Sequence, residues 1–194
     1  MHATRLQFLI LFCLIVAGIA WALPARSDEY VDFEIGRGMD GQAVSHLFPG
    51  VAFSTTSGGD VIFADIATGA YSVTSDSGSH YGLGEYFVGG DVAAYTEGSD
   101  AAVIRFTMGN ASFVKLGYSS ASTLYIDAFD SMGGLLASAQ GGPNTKSTGG
   151  TGLAFLQVSH PGIAYIQVHD TGSFWMIDNL SADAPVPEPA SATI

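Results

Sequence analysis

Eighteen aspartates and glutamates against six lysines and arginines give this 194-residue chain a formal charge of −12. That surplus of carboxylate suits cation binding and acid–base work. Ca²⁺ takes six to eight hard oxygens from carboxylates, backbone carbonyls and water. Glu34 and Asp178 lie near opposite ends of the strand-rich region. If the first and last strands run side by side, the two carboxylates meet at one sheet edge. Carbonyls of the segment 36–41 then complete the shell, with Asp32 and Asn179 as further contributors. Read singly, each of these groups equally serves as a strand-end carboxylate, solvated or capping a turn.

Other constellations fall short of a complete chemistry. Asp170-Thr171-Gly172 resembles the aspartic-protease loop, but that mechanism needs two aspartates sharing a proton. The chain has one copy, placed where a turn between two strands accounts for it. His46, His80, His160 and His169 show no H-x-H or H-x-x-x-H spacing, so zinc is not indicated. No G-x-S-x-G elbow occurs, and Cys13 is the sole cysteine. No catalytic residue is assigned. A glycosidase needs two facing carboxylates, and eighteen acids can supply such a pair by chance, so an enzyme is kept as the rival class. For sugars, the flat rings of Tyr81, Tyr86, Tyr95, Tyr118, Tyr125, Tyr165 and Trp175 are available, and the glycine-rich run from Ser77 to Tyr86 is the best candidate loop. The competing reading makes most of these rings core or cross-strand pairs.

The elements that must position these groups are strands. Runs rich in Val, Ile, Phe, Tyr and Thr recur between Gly, Ser, Asp and Asn, and predict strands at 30–35, 51–54, 60–64, 70–74, 85–88, 92–95, 101–108, 112–118, 123–130, 135–139, 151–159, 163–169 and 173–181. Alternation sets Ile104, Phe106 and Met108 on one face. It sets Ile163, Tyr165, Gln167 and His169 opposite Ala164, Ile166 and Val168. Ser131-Met132-Gly133-Gly134 reads as a hairpin loop, Gly109-Asn110 and Asp170-Thr171-Gly172 as similar turns, and 141–150 as a flexible surface loop. No helical stripe with caps appears past residue 30. The fold class expected is all-β: an antiparallel β-sandwich of jelly-roll type, preceded by a signal helix and followed by a disordered tail.

The termini set the destination. Arg5, an apolar run from Leu6 to Ala22 and small residues at Ala20 and Ala22 form a secretory signal, cut after Ala22 or, second, after Ala25. An uncleaved anchor is the alternative, although the run is short for a span of ~20 residues. Cleavage removes Cys13, leaving no disulfide or thiolate ligand, and brings the charge to 5 − 18 = −13. Such a surface repels nucleic acid and anionic lipid. The expected organisation is a signal peptide at 1–22, a linker at 23–29, one sandwich domain at 30–183 and a Pro- and Ala-rich tail at 184–194.

Val31-Asp32-Phe33-Glu34-Ile35-Gly36 and Phe48-Pro49-Gly50-Val51-Ala52-Phe53-Ser54 resemble the opening of calcium-stabilised jelly rolls of the galactose-binding-like and carbohydrate-binding-module type. Phe174-Trp175-Met176-Ile177-Asp178-Asn179-Leu180 is similar to their closing strand, and Val186-Pro187-Glu188-Pro189 resembles the sorting motif of PEP-CTERM exosortase substrates. The resemblance implies a structural Ca²⁺ held by Glu34 and Asp178. It also implies a bacterial protein, secreted or at the cell surface, that binds carbohydrate or extracellular polysaccharide without catalysis. A lyase or hydrolase on the same scaffold, or a matrix protein without a small ligand, is the alternative. Members of that group continue past the motif with an apolar helix and a basic cluster, whereas here Ala190 to Ile194 follow. The expected product is therefore a released domain, with sorting machinery as a partner only if an anchor exists.

Overall fold

The computed structural model describes residues 29–36, 41–65, 86–90, 101–144, 154–170 and 175–185. The expected signal segment, the strands expected at 70–74 and 92–95, Tyr81, Tyr95, His80 and the tail from 186 onward lie outside the described residues.

Eleven strands are described: β1 (Glu29–Val31), β2 (Val51–Thr55), β3 (Val61–Asp65), β4 (Tyr86–Gly90), β5 (Ala102–Phe106), β6 (Ala111–Ser120), β7 (Leu124–Phe129), β8 (Leu135–Gly141), β9 (Ala154–Ile163), β10 (Tyr165–Asp170) and β11 (Trp175–Ala182). All pairings are antiparallel. One sheet runs β3-β4-β11-β6-β9, with β1 also pairing β11; the other runs β2-β5-β10-β7-β8. The all-β antiparallel sandwich of jelly-roll type read from the sequence is the fold.

Alternation in the sequence becomes the two faces of each sheet. In β7, Leu124, Ile126 and Ala128 are fully buried while Tyr125, Asp127 and Phe129 face outward. In β10, Ile166 and Val168 point in, and Tyr165, Gln167 and His169 point out. In β5, Ala102, Ile104 and Phe106 point in. Against them, from the six-stranded sheet, stand Val61, Phe63, Val114, Leu116, Tyr118, Val158 and Ile177 in a single core. Each large aliphatic or aromatic side chain so buried contributes about 1.5–3 kcal/mol. β11 is buried along both faces, consistent with its central place in its sheet.

Several expectations need correcting. Met108 is 52% exposed, because β5 ends at Phe106 and Met108 lies beyond it. Ile163 closes β9 rather than opening β10, and the chain crosses between sheets at Ala164, whose N–H is donated to Phe129. The opening strand is shorter than read: Asp32 Oδ1 accepts the Glu34 N–H at 3.2 Å, and Glu34–Gly36 form a 3-10 turn. A short polar side chain that captures a nearby N–H offers the backbone an alternative to the ladder. The turn at Gly109 joins strands of opposite sheets and is not a hairpin; Thr171 and Gly172, expected as a similar turn, lie outside the described residues, between β10 and β11 of opposite sheets. Ser131–Gly134 does join the neighbours β7 and β8. There Asp130 Oδ1 accepts the N–H groups of Met132 and Gly134, both at 2.8 Å, and Gly133 supplies a φ of 85°.

One side of the sandwich is strapped shut. The segment 41–45 donates from Gly41 and Val44 to β3, accepts from Phe63, and accepts the Phe53 N–H of β2 at Ser45. Phe33, Phe48 and Phe53 meet there edge to face, with centroids 5.3, 5.7 and 6.1 Å apart. The two segments resembling a jelly-roll opening therefore share one aromatic cluster.

The start of the loop expected at 141–150 is held down. Tyr118 donates its hydroxyl to the Gly142 carbonyl at 3.0 Å, and burial raises its pKa, which keeps it a neutral donor. Asn144 is buried, accepting from Ser120 N–H and donating to the Tyr118 carbonyl, each at 2.8 Å. A Cβ at Gly141 would lie 2.1 Å from Tyr118 Oη and 2.6 Å from its Cζ. Gly141→Ala is therefore expected to cost about 1–3 kcal/mol, the usual range for overpacking, read as a lower midpoint in urea unfolding. An unchanged midpoint would contradict this packing.

Candidate functional site

Cross-strand partners in a sheet share a face, and their side chains interact directly. On the outer face of the five-stranded sheet, register builds rows of functional groups. In the first row Tyr165 lies between Arg105 of β5 and Phe129 of β7. The Tyr165 and Phe129 rings stack at 5.0 Å and 10°, and the Arg105 guanidinium carbon sits 4.5 Å above the Tyr165 ring. In the second row Gln167 faces Asp127, and Asp127 faces Ser138 of β8. In the third His169 faces Tyr125, their rings stacked at 5.2 Å and 13°. Two aromatic pairs, four residues apart along their strands, are thus about 14 Å apart at ~3.4 Å per residue, with polar groups between them.

The polar centre is organised by Asp127. One carboxylate oxygen lies 3.0 Å from His169 Nε2, and the other accepts the Ser138 hydroxyl. The His169 and Asp127 side chains are 37% and 24% exposed, so this pair contributes at most about 1 kcal/mol. Arg105 is exposed at the end of its row. The face therefore presents ring edges, a phenol, an amide, a carboxylate and a guanidinium to solvent. These groups can hydrogen-bond hydroxyls and cover apolar ring faces. They do not form a nucleophilic relay, because Ser138 is bonded to the carboxylate and not to the imidazole.

Of the aromatic residues considered for sugar contact, Tyr125 and Tyr165 lie on this face. Tyr118 and Trp175 are turned into the core, 4% and 7% exposed. Tyr86 lies on β4. Phe129, Arg105, Asp127 and His169 were not singled out as sugar contacts in the sequence. The spacings Tyr125-Asp127-Phe129 and Tyr165-Gln167-His169 carried a signal, but pairing them required the register of β7 against β10.

The carboxylates weighed for calcium sit elsewhere. β1 pairs with β11 through Val31 opposite Leu180. Glu34 follows three residues beyond Val31, and Asp178 precedes Leu180 by two, so both belong to the same end of that ladder. Asp178 is 1% exposed, and its two oxygens accept the Asn179 N–H at 2.7 Å and Asn179 Nδ2 at 2.8 Å. The backbone turns sharply there, with φ of 60° at Phe33 and 52° at Asn179. Among the described residues no group of three or more His, Cys, Asp or Glu side chains is arranged for a metal. An ion at this end would draw on the oxygens of Asp178 and Glu34, donors that suit a hard cation; residues 37–40, expected to add backbone carbonyls, lie outside the described residues.

No family model matches the chain, and no curated protein matches it. Among solved structures, the K2 cleaved adhesin domain of Lys-gingipain superposes on 80% of this chain and 99% of its own, with a TM-score of 0.51 and 11% identity. A tandem carbohydrate-binding module pair from Paenibacillus barcinonensis covers 90% of this chain and 50% of its own at TM-score 0.44 and 14% identity. A Cellvibrio mixtus lichenase carbohydrate-binding module, solved with cellotriose, covers 81% and 97% at TM-score 0.35 and 10% identity. At these identities the likeness is one of fold.

Proposed function

We propose that the chain is a secreted, non-catalytic β-sandwich module that binds carbohydrate through the outer face of its five-stranded sheet. The arrangement that carries this reading is the row Arg105–Tyr165–Phe129 beside Gln167, Asp127 and His169. A sugar ring needs an apolar surface to lie on and polar groups for its hydroxyls. Arg105 is exposed, so a sugar can displace its guanidinium and take the open face of Tyr165, while Gln167 and Asp127 reach hydroxyls alongside. The Asp127–His169 and Asp127–Ser138 bonds hold those side chains in place before a ligand arrives. Export follows from the N-terminal signal, and the partner is an extracellular polysaccharide or a surface glycan. A Ca²⁺ held by Asp178 and Glu34 would be structural, because both residues lie at the β1–β11 end and away from this face.

Titration of the purified chain against a broad glycan array tests this. Tyr165→Ala is expected to weaken binding to any glycan retained by the native chain by about tenfold, or ~1.4 kcal/mol. Tyr118→Phe, altered inside the core, is expected to leave affinity unchanged. A native chain that retains nothing across the array defeats the reading.

A further inference from the structure

A sheet edge exposes unpaired N–H and C=O groups, and proteins guard such edges with charge, proline, bulges or a covering segment. Among the described residues, three of the four strands that end the two main strand orders are guarded. β2 and β3 are bridged by 41–45, and β9 carries Pro161 and runs beside Lys115, whose Nζ lies 4.8 Å above Phe155. β8 differs. It ends the five-stranded sheet, and among the described residues its backbone pairs with β7 alone. Its residues Leu135-Leu136-Ala137-Ser138-Ala139-Gln140-Gly141 include no charge and no proline. The register shift at Leu136 lies at the hairpin end, and Ala137–Gly141 continue in unbroken register against Leu124–Ala128. Leu135, Ser138 and Gln140 are exposed.

We propose that β8 pairs antiparallel with β8 of a second copy of this chain, with the two-fold axis at Ala139, joining two five-stranded sheets into one. The strand is self-complementary about that point. Ala139 falls opposite Ala139, and Ala137 opposite Gly141, so the core-facing side of the seam is small and apolar. Ser138 falls opposite Gln140 twice, so the solvent-facing side pairs a hydroxyl with an amide. Charge at the seam does not oppose this partner. Two chains of −12 repel over most of their surfaces, yet this seam contributes no acid of its own. Asp127, one strand inward, is engaged by His169. Isologous two-fold contacts are the commonest closed assembly. The inference is independent of carbohydrate binding, since β8 backbone groups and not the aromatic rows carry it.

Sedimentation equilibrium of the purified chain across micromolar to millimolar concentration provides the test. The native chain is expected to dimerise within that range. Ser138→Lys with Gln140→Lys places like charges directly opposite each other twice, and is expected to raise the dissociation constant by about tenfold or more. Ser138→Glu with Gln140→Glu does the same. An equimolar mixture of the two double variants sets Lys against Glu and is expected to restore the dimer. Asn110→Lys, exposed and off the seam, leaves dimerisation unchanged. All these positions are exposed, so far-UV circular dichroism is expected to remain native. In a Cys13→Ser background, Ala139→Cys is expected to cross-link between copies under mild oxidation faster than Asn110→Cys, because directly opposed residues lie about 4.5–5.5 Å apart at Cα. A native chain monomeric throughout the range overturns the proposal. So does a lysine–glutamate mixture that stays monomeric, or equal cross-linking at 139 and 110.

Discussion

Asp183→Ala is expected to lower the stability of this sandwich by about 2–3 kcal/mol, although Asp183 lies just past the last strand and far from the candidate sugar surface. β6 slips register against β9 between Ala111 and Phe113, so its first N–H groups leave that ladder. Asp183 collects them. Its Oδ1 accepts the N–H of Ser112 at 2.6 Å and of Phe113 at 3.0 Å, while its Oδ2 accepts the Ser112 hydroxyl. Bonds to a charged acceptor are each about 1.5–3 kcal/mol strong, and stranding their donors adds a desolvation cost. Partial solvent access lets water replace some of this, which keeps the total below the sum. On a domain of this size the loss corresponds to a fall of roughly 5–10 °C in melting temperature. Asp183→Asn keeps an oxygen for the two backbone donors and loses the charge, so it is expected to fall between. Calorimetric melting of both variants decides the matter. A native-like midpoint for Asp183→Ala would mean that water serves these donors equally well.

The second large effect concerns the calcium ion that Asp178 and Glu34 are proposed to hold. A cation that binds the folded chain alone stabilises it by about 2.7 kcal/mol when present at a hundred times its dissociation constant. The melting temperature is then expected to drop by roughly 5–10 °C in EGTA and to recover with excess Ca²⁺. Asp178→Asn is expected to abolish the response, because the amide keeps a neutral oxygen but removes one of the two negative charges that would draw the dication. The same variant separates two roles of the aspartate. Its oxygens also hold the bend at Asn179, so the EGTA-treated native chain and the variant are expected to differ in absolute stability while only the former responds to calcium. Equal melting in EGTA and Ca²⁺ would remove calcium from the account.

Much of this architecture was legible in the chain. Leu124-x-Ile126-x-Ala128 and Ile166-x-Val168 announce strands with one buried face, because a period of two can be satisfied only by an extended backbone with apolar groups on one side. Ser131-Met132-Gly133-Gly134 announces the β7–β8 hairpin, because one left-handed glycine and local hydrogen bonds, which the structure assigns to Asp130, suffice to build it. Where local chemistry competes with the ladder, boundaries were misread: Asp32 captures the Glu34 N–H, and the strand expected to reach Ile35 stops at Val31.

The functional surface was legible only in halves. Tyr125 and Tyr165 were each visible as rings on strands, but so were Tyr118 and Trp175, and single-strand periodicity cannot say which face meets the core. A strand buried on both sides, such as β11, loses the contrast that would orient it. The sequence by itself determined the all-β class, the strand faces of β5, β7 and β10, and the candidacy of Glu34 and Asp178. Only the tertiary structure decided that Tyr165 stands between Arg105 and Phe129, that Asp127 joins His169 to Ser138, and that β8 ends its sheet, paired among the described residues with β7 alone. Those facts depend on register between strands up to tens of residues apart, and register is set by the packing of the whole sandwich and not by any one segment.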